Sequence, residues 1–164
     1  MWLRGLASIA ITLLLGACGD PGTGPVEVKW DRETCERCRM VLSDRRHAAQ
    51  VRVGEPNGGS RVYPFDDLGC ALIWLEGRSG GIEAASEIWV SDWRTGDWID
   101  ARTASFVPNQ ITPMQYGLGA QPDPAPGTLD FAQARDQVLE AERRNQAHTT
   151  RETPLDPSAG IGPS

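Results

Sequence analysis

Two thiols and a thioether lie within six residues of one another, Cys35, Cys38 and Met40 in the run Thr34-Cys-Glu-Arg-Cys-Arg-Met-Val-Leu-Ser-Asp44. Thiol and thioether sulfur are soft ligands, and the ion that most favours the combination is Cu(I). Zinc usually takes thiolate with imidazole, and calcium takes oxygen. A Cys-x-x-Cys pair alone has three uses: a disulfide, a metal site or redox exchange. Met40, two residues past the second thiol, shifts the balance toward metal.

The first residues bear on which compartment those sulfurs meet. Met1 to Ala17 has a basic start at Arg4, an apolar run from Leu6 to Leu15, and small residues leading into Cys18. The run is far shorter than the roughly 20 residues of a spanning helix, so it reads as a secretory signal. Leu15-Gly16-Ala17-Cys18 resembles a bacterial lipobox, where the chain is cut before a cysteine whose sulfur is acylated. Residues 1–17 are therefore expected to be a lipoprotein signal peptide and Cys18 a lipid anchor in the bacterial cell envelope, facing the periplasm or the exterior. That leaves three thiols, Cys35, Cys38 and Cys70. The odd count argues against a complete disulfide framework.

Charge removes one class of partner. Arg4 is the only charged residue of the leader, so the exported chain has 15 basic residues against 22 acidic ones, a net of −7. Phosphate backbones repel such a chain, and nucleic acid is not an expected partner.

The elements that must position the sulfurs follow from periodicity. Residues 18–27 are rich in Gly and Pro and read as a flexible linker. The cysteine run lacks helical or alternating periodicity and reads as a loop. Residues 47–54 alternate at Ala49, Val51 and Val53 as a half-buried strand; Asn57-Gly58 marks a hairpin turn, and Arg61–Phe65 is the return strand, with Pro64 at its edge or end. Asp66 or Asp67 caps a helix that buries Leu68, Ala71, Leu72 and Leu75 and ends at Gly77, with Cys70 and Trp74 on a neighbouring face. The second half repeats the pattern. Glu87–Trp93 and Asp97–Ala101 pair around Arg94-Thr-Gly96, Thr103–Val107 extends the sheet, and residues 109–127 are irregular. Thr128 or Asp130 then caps a helix to about Arg144, burying Phe131, Ala134, Val138 and Leu139. The expected fold is α+β, two ββα units forming a small antiparallel-sheet domain over residues 28–144, with a polar, disordered tail over 145–164.

Four motifs, in order, carry a resemblance: Cys35-x-x-Cys38-x-Met40, Phe65-Asp-Asp-Leu-Gly-Cys70, Val90-Ser-Asp-Trp93 with Trp98-Ile-Asp-Ala101, and Thr112-Pro-Met-Gln-Tyr-Gly117. Together they resemble the NosL family across about Cys18 to Leu139. That resemblance implies a copper-binding envelope lipoprotein that supplies copper to the tetranuclear copper-sulfide centre of nitrous oxide reductase, and a fold like that of organomercurial lyase. It implies a Cu(I) site at Cys35, Cys38 and Met40, with Met114 as a distant ligand on a Pro-led loop. The family commonly has Gly between the second cysteine and the methionine, where this chain has Arg39. A positive φ there would strain Arg39 by roughly 1 kcal/mol.

The implied role is a chaperone that passes Cu(I) by ligand exchange to a cuproenzyme or its assembly machinery, and not an enzyme. Two readings compete with it. Cys35 and Cys38 could serve a thiol-disulfide oxidoreductase, although no thioredoxin-like βαβ pattern surrounds them. Cys70 with an Asp could serve lyase-like chemistry, which fold kinship alone does not establish. Cys70 reads equally as an inert core thiol or a site member; Asp66, Asp67 and Asp92 read as caps and turn residues, and His47 as a surface histidine.

Overall fold

The computed structural model describes Asp20 and residues 22–152. The expected signal peptide, the lipidation of Cys18 and the last twelve residues of the tail lie outside the described residues. Among the described residues no helix is long and apolar enough to cross a membrane.

A four-stranded antiparallel sheet carries the fold in the order β2-β1-β3-β4, from β1 (Ala49–Gly54), β2 (Ser60–Phe65), β3 (Ala85–Ser91) and β4 (Trp98–Asp100). The β1–β2 hairpin turns where Gly58 and Gly59 take φ of 83° and 84°, conformations that a side chain resists. Its register pairs Val51 with Tyr63 and Ala49 with Phe65. Pro64 is tolerated because β2 lies at the sheet edge, where its missing N–H faces no strand.

Helix α1 (Leu68–Glu76) starts at Asp67, whose Oδ1 accepts from the Gly69 amide at 2.8 Å. It buries Leu68, Ala71, Leu72 and Leu75 on the sheet as the periodicity predicts. Each fully buried leucine contributes on the order of 1.5–3 kcal/mol. Helix α2 (Phe131–Glu152) opens with a reciprocal cap: the Gln133 amide donates to Asp130 Oδ1 and the Asp130 amide to Gln133 Oε1. Ala134 and Val138 are fully buried, and α2 packs on α1.

Five expectations differ from the structure. Thr103–Val107 does not extend the main sheet. The chain turns at Asp100, which accepts from the Arg102 amide, and β5 (Ser105–Val107) pairs instead with β6 (Gly119–Gln121), a strand within the stretch expected to be irregular. Helix α2 runs to Glu152, so residues 145–152 are helical where a disordered tail was expected; ion pairs of Glu140 with Arg143 and Arg144 sit along its exposed face just before that extension.

The flexible linker is likewise not a leash over its described part. The Val26 amide and carbonyl pair with the side-chain amide of Gln50 at 2.9 and 2.8 Å, Gly24 donates to Glu87, and Arg52 reaches Asp20 at 2.6 and 2.9 Å. This cover explains the fifth difference: β1 is buried on both faces except at Gly54, since Gln50 and Arg52, which alternation marks as outward polar positions, lie beneath the segment.

Candidate metal centre

The cysteine loop is closed by its own backbone. The Cys35 amide donates to the Met40 carbonyl at 2.8 Å and the Arg39 amide to the Cys35 carbonyl at 3.1 Å, while Thr34 and Val41 bridge the loop base. The turn places Arg39 at φ 64°, the left-handed conformation in which glycine is at ease and arginine is not. The loop is tied to the edge strand through the Glu36 amide and the Pro64 carbonyl. That tie sets Cys35 and Cys38 over the junction between β2 and α1.

The junction supplies the remaining groups. Cys35, Cys38, Cys70 and Asp66 each offer a ligand atom, and these four atoms all lie within 4.8 Å of one another. Cys35 and Cys70 are fully buried, Asp66 is nearly so, and Cys38 is half-buried. All three cysteines are free thiols. Metal–sulfur bonds of about 2.3 Å put tetrahedral ligand atoms roughly 3.8 Å apart, so these three sulfurs and one oxygen need only close in slightly to share one ion.

The protons in the cluster are unevenly held. A hydrogen bond from Cys70 stabilises the Cys35 thiolate and draws that thiol down to about 6. Burial pushes the Cys38 thiol up to about 12, and it donates to Asp66 Oδ2 at 3.2 Å. Cys70, donating to Cys35, is pushed up as well. Asp66 Oδ1 is buried and has no hydrogen-bond partner among the described residues. A buried carboxylate oxygen without a donor is costly to maintain, and a cation beside it would satisfy it. The donor set thus fits a soft cation bound by sulfur, with the carboxylate available as a fourth, harder ligand.

A second layer surrounds the thiols. Arg37 Nη1 lies 3.9 Å from Cys70 Sγ and 3.2 Å from Tyr116 Oη, and Arg37 Nη2 pairs with Glu142 on α2 at 2.7 Å. Tyr116 in turn donates to Glu142 at 2.8 Å. The Tyr116 ring lies against Gly69, and a Cβ at that position would lie 2.1 Å from its Cδ2. Gly69 is therefore required for the approach of the 109–118 loop to α1. Asp67, beside Asp66, accepts from Thr112 Oγ1 at 2.6 Å and from the Met114 amide at 3.2 Å, and so fixes the start of that loop.

Of the four sulfurs expected as ligands, the structure brings Cys35 and Cys38 together. Met40 is 50% exposed where the loop closes, and Met114 is partly buried on the loop that Asp67 fastens. Cys70, left open by the sequence, joins the thiols, and Asp66, read there as a cap, supplies the carboxylate while Asp67 caps. The signal for Asp66 was the doubled aspartate, one more than a helix start uses. His47 pairs with Asp44 at 2.8 Å.

No protein-family model and no curated protein matches the chain. Among solved structures, the chain is similar to the copper chaperone NosL from Shewanella denitrificans, at 15% sequence identity and a TM-score of 0.48, over 71% of this chain and 87% of that chain.

Proposed function

We propose that the chain is a Cu(I) chaperone of the bacterial envelope, anchored through Cys18, that holds the ion on Cys35, Cys38 and Cys70 beside Asp66 and passes it to a cuproenzyme. The observation that carries this reading is the group of three thiols and one carboxylate within 4.8 Å, with one carboxylate oxygen that has no partner among the described residues. Sulfur-rich donor sets favour Cu(I) over harder divalent ions. The Met40 and Met114 thioethers stand on the two loops flanking the thiols and add soft donors for an ion in transit. The resemblance of the sequence motifs to NosL points to the copper-sulfide centre of nitrous oxide reductase as the recipient.

Transfer requires a way in for the partner's ligand. Cys38 is the half-buried member of the set and sits beside the exposed Met40 and Val41, so exchange would begin there and end at the buried Cys35 and Cys70. The distribution of protons disfavours thiol-disulfide exchange. The thiol with the lowered pKa, Cys35, is fully buried, and the accessible one, Cys38, is held protonated. An oxidoreductase needs the reverse, a low-pKa thiolate within reach of a substrate.

The test is anaerobic competition for Cu(I) between the reduced chain and a chromophoric chelator. Changing a second-layer residue typically costs 10–100-fold in metal affinity, so Cys38→Ser and Cys70→Ser should each cost about 100-fold or more. Unchanged affinity in both variants rejects the site, and insulin reduction above background by the wild type would reinstate the oxidoreductase.

A further inference from the structure

Cu(I) held by three thiolates carries two negative charges, and an ionised Asp66 adds a third. The thiol protons leave for solvent as the metal enters. Cys35, Cys70 and Asp66 are buried, where uncompensated charge is expensive. Arg37 is the cation placed at this cluster, its Nη1 3.9 Å from Cys70 Sγ. The same guanidinium is claimed from the other side by Glu142, at 2.7 Å, with Tyr116 bridging the two.

We propose that Arg37 is the charge-balancing residue of the loaded site and that Glu142 on α2 competes for it, so that the Arg37–Glu142 pair sets how tightly the ion is held. The inference rests on the Cu(I) reading of the cluster and extends it to control of affinity. In the metal-free chain Arg37 is held chiefly by Glu142 at 2.7 Å and Tyr116 at 3.2 Å, with Cys70 Sγ farther off at 3.9 Å. In the loaded chain Cys70 is a thiolate, and the same N–H makes a charge-assisted contact that neutral sulfur cannot offer. Arg37 therefore favours the loaded state, whereas Glu142 draws the guanidinium away and adds a like charge near the thiolates. Because Glu142 belongs to α2, a partner that shifts this helix would change the hold on the ion without touching a ligand.

Opposite signs separate this device from a merely structural ion pair. Anaerobic Cu(I) competition should show Arg37→Met binding about 10–100-fold more weakly, the range seen when groups behind metal ligands are lost. Arg37→Lys should recover part of that loss, since a point charge balances the site but cannot fork to Tyr116 and Glu142 together. Glu142→Gln, which keeps the hydrogen-bond acceptor and removes the charge, should bind a few-fold more tightly. Arg135→Gln, which removes a different α1–α2 ion pair with Glu76, should leave affinity unchanged. Arg37→Met and Glu142→Gln should both lower the melting temperature of the metal-free chain, as loss of the ion pair requires. If Arg37→Met binds as the wild type does, or if Glu142→Gln weakens binding alongside it, the inference is overturned while the copper site stands. A wild-type chain that takes up no Cu(I) overturns both.

Discussion

Arg52 and Arg37 each draw distant segments together, and they do so to opposite degrees of completion. Arg52 is 1% exposed, and its guanidinium donates to Asp20, Glu87, Ser60 and the Gly24 carbonyl. Its hydrogen-bonding capacity is nearly spent on the fold. Around Arg37 the groups are left wanting: a Cys35 thiol drawn down by its neighbour Cys70, a thiol on a carboxylate, and a carboxylate oxygen with no donor among the described residues. A saturated polar cluster fastens structure, whereas a buried cluster with open valences is placed to bind something.

The largest effect that would test the contrast is on stability. Arg52→Met leaves Asp20 and Glu87 without their shared cation and releases the 20–26 segment. Differential scanning should show the melting temperature falling by roughly 5 °C or more, with Cu(I) affinity unchanged. A loss of copper binding at constant stability would invert the two roles.

Proton linkage should come next in size. Native Cys35 titrates near 6 against 9.0 for an unperturbed thiol, so its contribution to stability is complete above pH 9 and lost as pH falls through 6. Cys38 runs the other way: held protonated in the fold, it contributes fully below pH 9 and loses that contribution as pH rises toward about 12. Denaturant midpoints of the metal-free chain should therefore climb from pH 6 to 9 and fall beyond, and Cys35→Ser should abolish the climb. Asp20 and Glu87, the acids of the clasp that Arg52 forms between β1 and residues 20–26, are held below their ordinary values by hydrogen bonds and Arg52, so they add no slope in this window. A climb that survives in Cys35→Ser would assign it elsewhere.

The smallest effect concerns the loop that presents Cys38. Arg39→Gly removes a left-handed arginine at φ 64° and should raise stability by no more than about 1 kcal/mol, the strain being partly offset by the glycine's greater freedom when unfolded. Destabilisation beyond that would mean that the exposed Arg39–Glu36 contact matters more than its 3.5 Å separation suggests.

The same contrast explains what was legible beforehand. The β1–β2 hairpin and α1 announce themselves through alternation, an Asn-Gly turn and a 3.6-residue period, because each buries one face. The Cys-x-x-Cys loop is legible from local spacing, while nothing local marks Arg39 as left-handed. The clasp was hidden because Gly and Pro mark a segment without a core of its own, and nothing local says that Gln50 and Arg52 wait beneath it. Asp66 and Cys70 were ambiguous for a related reason: an aspartate before a helix and a cysteine within one have ordinary structural uses. Only the packing of a loop 30 residues earlier in the chain onto that helix start distinguishes them. Strand β6, three residues long and opening with glycine under the Trp93 ring, offers no periodicity to read.

X-ray absorption at the copper edge, on the reduced chain loaded with one equivalent of Cu(I), bears most directly on the open cluster as a metal site. The shell should be dominated by the sulfurs of Cys35, Cys38 and Cys70, and be diminished by one sulfur in Cys70→Ser. A shell of nitrogen and oxygen, or one that Cys70→Ser leaves unaltered, would contradict that assignment.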